Sequence, residues 1–138
     1  MLAGHEVLEH TADIELKLHA PTWPELLAES GRALSVRLWA GTGAVPGHQG
    51  TWHRMELRAA DRAALLVDWL NELLYRSEAE WWVPVEFVVE EASDQFVRAR
   101  VRGVPVARAP AAVKAATLYG AQVIRGPAGI EATVVLDV

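Results

Sequence analysis

Residues 13–19 alternate without a break: Ile14, Leu16 and Leu18 are apolar, while Asp13, Glu15, Lys17 and His19 are polar. A two-residue period sends successive side chains to opposite faces of a strand, so this segment demands a sheet with one dry and one wet face. The period then changes. Thr22 and Glu25 are spaced as a capping box, Pro24 falls in the first turn, and Trp23, Leu26, Leu27, Leu34 and Leu38 recur at helical spacing as far as Gly41. Residues 41–50, rich in Gly with one Pro, read as a surface loop.

The same two signals repeat. Residues 52–58 alternate around Met55 and Leu57, and Asp61 caps a second helix carrying Leu65, Leu66, Trp69, Leu70, Leu73 and Leu74. Pro84 is expected to end that helix, and residues 85–90 and 96–103 read as strands joined through Ala92-Ser93-Asp94-Gln95. Two further strands are expected at residues 115–124 and 130–136, around a turn at Arg125-Gly126-Pro127-Ala128-Gly129. Strand, helix, strand, helix and then several strands on short turns predicts a single α+β domain over residues 1–138. The architecture expected is a two-layer sandwich, two helices packed on one face of a mostly antiparallel sheet.

Composition narrows the function. A chain of 138 residues that is 51% hydrophobic can bury enough surface to fold without staples. It has no cysteine, which excludes a disulfide scaffold, a zinc ribbon, an iron-sulfur cluster and a thiol nucleophile. Lys plus Arg number 13 against 18 Asp plus Glu, a net charge of -5, so nonspecific grip on a phosphate backbone is disfavoured relative to a protein partner. The N-terminus has neither a basic start nor an apolar run of signal-peptide length, and the run from Ala63 is interrupted by Asp68; the expectation is a cytoplasmic protein without a membrane anchor.

Several motifs fail on inspection. Gly41-Thr42-Gly43 with Gly47 follows a helix rather than a strand and misplaces its third glycine, so it is a loop and not a dinucleotide fingerprint. His5 and His10 are five apart, which turns their imidazoles away from each other on a helix and excludes a zincin. Ser30, Ser35, Ser77 and Ser93 lack a strand-turn-helix elbow. Arg98, Arg100 and Arg102 line one strand face and read as a solvated ladder paired with Glu on neighbouring strands. Trp23 and Trp69 belong to buried helix faces, whereas Trp81-Trp82 leaves room for one exposed ring.

What survives is a group of anions. Asp13 begins the first long strand and Asp137 ends the last one, with Val138 and its α-carboxylate beside it. Antiparallel pairing of those strands would bring all three together, and such a cluster needs a proton, a cationic side chain or a hard divalent cation among its oxygens. The residues alone leave open a second reading, two exposed carboxylates at strand ends. Lys114 is one of two lysines beside eleven arginines. It is either a chance surface residue or a compact point charge for phosphate or carboxylate. His10 and Thr11 fit a role in fixing the turn into the strand by hydrogen bonding.

Glu9-His10-Thr11-Ala12-Asp13-Ile14, Asp68-Trp69-Leu70-Asn71-Glu72-Leu73-Leu74-Tyr75, Val113-Lys114-Ala115-Ala116-Thr117 and Leu136-Asp137-Val138 together resemble the archease family, in the family's order and over nearly the whole chain. The resemblance implies a non-catalytic accessory protein that activates a GTP-dependent RNA-splicing ligase of the RtcB class, promoting its guanylylation and multiple turnover, with RNA met only through the ligase. It also implies a divalent cation, calcium first and manganese or magnesium as alternatives, held by Asp13, Asp137 and Val138. Lys114 would be the activating lysine, with His10 and Thr11 in support. The likeness departs at Tyr119, where relatives often carry histidine. Two other functions stand beside this one: a chaperone-like modulator of a tRNA methyltransferase, and a small metal-dependent hydrolase using Asp13 and Asp137, for which His10 is the available general base.

Overall fold

The computed structural model describes residues 2–9, 13–40, 42–43 and 49–138. Among them run β1 (Gly4–Glu9), β2 (Asp13–Ala20), α1 (Trp23–Trp39), β3 (Thr51–Arg58), α2 (Arg62–Glu80), β4 (Trp82–Ala92), β5 (Phe96–Pro105), β6 (Ala115–Gly126) and β7 (Gly129–Asp137). Every strand pairing is antiparallel, and the α+β architecture is the expected one. The strands are shared between two sheets, β1-β2-β7-β6 and β3-β5-β4, where the periodicity suggested one. Alternation records which face of a strand is dry, and it carries no information about which strand lies alongside.

The alternating segment behaves as its period requires. Ile14, Leu16, Leu18 and Ala20 of β2 are buried, and Ile130, Ala132, Val134 and Leu136 of β7 continue the same dry face. Helix α1 covers that face and also touches β4, while α2 packs against β6 and the second sheet, so both helices lie against both sheets. Leu65, Leu66, Trp69, Leu70 and Leu73 of α2 are essentially sealed from solvent. The approach of α1 to β4 is close enough to require Gly31, because a Cβ there would overlap the Phe87 ring.

Helix ends are set by local chemistry. Thr22 Oγ1 accepts from the Glu25 backbone N–H at 3.3 Å, and Asp61 Oδ1 accepts from the Ala64 N–H at 2.8 Å. At its far end α2 stops at Trp81, held in the left-handed region at φ 55° with its N–H donated to Ser77 O. Pro84 therefore does not end the helix. It lies within β4, an outer strand of its sheet, beside a register shift between Pro84 and Glu86 that accommodates its missing N–H. Strand β1 went unread because Gly4-His5-Glu6-Val7-Leu8-Glu9 does not alternate. It is tied to α1 through His5 Nδ1, 2.7 Å from Glu29 Oε2.

Candidate functional site

The β2–β7 ladder sets Asp13 directly opposite Asp137. Directly opposed residues of an antiparallel pair share one face with their Cβ atoms about 5 Å apart, so two carboxylates in that position repel. Both aspartates are partly exposed, and Val138 beyond them packs its side chain against the rim of the core. Lys114 arrives from the opposite flank of β7: its backbone N–H donates to Asp137 O at 2.8 Å, and the strand that follows pairs Ala115 with Asp137. Its own side chain is exposed. Asp13, Lys114, Asp137 and Val138 thus meet at one corner, contributed by β2, the lead into β6 and the end of β7. His10 and Thr11 lie outside the described residues.

The side chains fit a hard cation, since two carboxylates offer only oxygen. Among the described residues no three His, Cys, Asp or Glu side chains converge as metal ligands. The corner therefore supplies two aspartate side chains, Asp13 and Asp137. Two surface grooves lie elsewhere. One, of about 590 Å³, is lined by His5, Glu6, Lys17, His19, Glu131 and Thr133, and another, of about 690 Å³, by residues including Asp61, Arg62, Asp94 and Gln122.

A feature without a sequence signal lies beside the corner. The β6–β7 register slips between Thr117 and Gln122, so the intervening residues leave the ladder as a wide bulge. It passes through Gly120 at φ 76° and exposes Leu118 and Tyr119, the latter 91% open to solvent. Asn71, on the partly exposed side of α2, reaches the same strand. Its Nδ2 donates to Ala116 O at 3.0 Å, and its Oδ1 accepts from the Ala116 N–H at 2.8 Å.

The remaining expectations resolve into structure. Arg98, Arg100 and Arg102 pair with Glu91, Glu90 and Glu86 at 3.0, 3.5 and 3.1 Å, the ladder anticipated for that strand. Ser30 donates to Leu27 O and Ser77 to Trp82 O, both buried. Trp23 and Trp69 are buried with their indole N–H groups donated to Ser93 O and Leu27 O. Trp82 is buried and stacked on His53, and Trp81 is the half-exposed ring of the pair.

A small two-helix α+β domain with a charged corner at its strand ends is the class of protein defined here. Residues 5–138 match the model of the Archease protein family (MTH1598/TM1083). Protein archease of Methanosarcina acetivorans is 35% identical over 103 residues, covering 72% of this chain and 68% of that protein. Protein archease of Methanopyrus kandleri is 33% identical over 103 residues, covering 72% and 71%. In three dimensions the chain is similar to the solution structure of Methanobacterium thermoautotrophicum protein 1598, with a TM-score of 0.73 at 22% identity over 98% of this chain and 99% of that one. It is also similar to a Thermotoga maritima crystal structure described as an archease, possible chaperone, with a TM-score of 0.61 at 18% identity over 96% of each. The chain belongs to the archease family. No helix among the described residues is long and apolar enough to cross a membrane.

Proposed function

We propose that this protein is an accessory factor for a GTP-dependent RNA-splicing ligase of the RtcB class, promoting guanylylation and repeated turnover while the covalent chemistry stays with the ligase. The observation that carries the reading is the meeting of Asp13, Asp137 and Lys114 at one corner, from segments far apart in the sequence. Asp13 and Asp137, with the Val138 carboxylate, would hold a divalent cation, calcium first. Bound there, the cation would supply positive charge facing a partner's phosphate or carboxylate. The Lys114 ammonium, carried on an exposed stem, adds a compact charge that can approach the same group. A protein partner is further supported by the bulge at Leu118 and Tyr119, since an exposed tyrosine beside a charged site is a common anchor of protein interfaces.

The test is guanylylation of the cognate ligase by GTP, with and without this protein, followed by multiple-turnover RNA joining. Faster and more complete guanylylation, with no GTP hydrolysis by the protein alone, is the expected result. Equal guanylylation in both arms would remove the reading. The Val138 ligand is tested by adding residues after it, which turns a charged carboxylate into a neutral carbonyl. Calcium affinity and activation should both fall, whereas a tag before Met1 should leave them unchanged.

A further inference from the structure

We propose that Asn71 is the positioning residue for Lys114: its carboxamide stands in for the missing neighbour strand of β6 and fixes where the lysine emerges. The proposal rests on the accessory-factor reading above and names a part of that site. Strand β6 is the last strand of its sheet, paired with β7 on one side only. On the other side Asn71 exchanges both hydrogen bonds of Ala116, at 3.0 and 2.8 Å, as a residue of a further strand would.

Two residues earlier, the Lys114 N–H is bound from the opposite side by Asp137 O at 2.8 Å. The start of β6 is thereby clamped between α2 and β7. Its anchor does not yield easily, because Asn71 is flanked in α2 by Leu70, Leu73 and Leu74, all buried in the core. Lys114 itself is exposed, and among the described residues its ammonium forms no ion pair, so the location of its charge is inherited from the backbone. A side chain that hydrogen-bonds both the N–H and the C=O of one residue holds the two peptide units that meet there, and so fixes the position and rotation of the backbone at Ala116. Asp13 and Asp137 are held by the separate β2–β7 ladder, so the carboxylates should not depend on Asn71.

The experiment compares wild type, Asn71→Ala, Asn71→Asp, Lys114→Ala and the Asn71→Ala/Lys114→Ala double variant in the ligase guanylylation assay. Calorimetry with calcium chloride alone runs beside it. Asn71→Ala should lower activation about tenfold or more, as for residues that orient a functional neighbour. Calcium affinity should stay within about twofold of wild type, and the double variant should be no worse than Lys114→Ala, the non-additivity of residues acting as one unit. Asn71→Asp, which keeps the acceptor for the Ala116 N–H and loses the donor, should fall between. Full activation by Asn71→Ala, or additive losses in the double variant, would overturn the proposal.

A ligase-independent readout separates the two ideas. Amide exchange at Lys114 and Ala116 should accelerate about tenfold or more in Asn71→Ala while buried amides of α1 keep their protection, the pattern of local rather than global opening. Unchanged exchange sinks the positioning role. Should wild type itself fail to activate the ligase, or Lys114→Ala activate fully, the functional reading falls and the exchange result still decides whether Asn71 places the strand.

Discussion

Lys114 and the two aspartates at the corner call for opposite signatures in stability and function. Lys114 is exposed, so Lys114→Ala should change unfolding free energy by no more than about 1 kcal/mol, the range for surface sites, while abolishing ligase activation. Lys114→Arg should not restore full activation, because a planar guanidinium cannot replace a point charge at close range. Asp13 and Asp137 oppose each other across the ladder. In calcium-free buffer either Asp→Ala variant should be as stable as wild type or more so, by up to about 1 kcal/mol, since directly opposed like charges destabilise a pair. With calcium the order should reverse, because wild type alone gains binding energy, and the double variant should lose no more affinity than the singles. Thermal melts with and without calcium chloride check both signs. The aspartates were legible because alternation placed each at a strand end. Lys114 stood out as one of two lysines and through the family's motif order, whereas Asn71 lay inside the motif of residues 68–75 with nothing to mark its role, since a carboxamide bonded to a distant peptide leaves no pattern in sequence.

Strands and helices were readable to the extent that their causes are local. The capping residues Thr22 and Asp61 lie where spacing predicted them, and Asp61→Ala should cost about 1 kcal/mol, measured by urea denaturation, because it orphans the Ala64 N–H. Pro84 misled because a strand at the rim of a sheet tolerates proline as well as a helix end does, and the terminating residue is the left-handed Trp81. The bulge at residues 118–121 and the division into two sheets depend on partners remote in sequence, which no window of residues contains. Tyr119 should prove dispensable for folding: at 91% exposure, Tyr119→Ala should leave the melting temperature unchanged within about 1 °C, as expected of a surface substitution.

Across the whole molecule the charge is spread while the stability is concentrated. Arg98, Arg100 and Arg102 make partly exposed pairs, and replacing each by Gln should cost less than about 1 kcal/mol apiece in 0.15 M salt. Leu66→Ala, by contrast, empties a site with no solvent exposure and should cost about 2–5 kcal/mol, with both sets read from urea midpoints. The sheet order adds a temporal consequence. β7 follows β1, β2 and β6 in the sequence, yet it lies in the interior of their sheet, flanked by β2 and β6. A ribosome making this protein therefore produces β1, β2 and β6 before the strand that joins them exists. Until residues 129–137 emerge, β2 and β6 present open hydrogen-bonding edges, with the apolar side chains of Leu16 and Leu18 lacking one flank of their cover. The charged corner, at the Asp13–Asp137 end of that ladder, needs both strands and consequently forms only after residues 129–137 have been made.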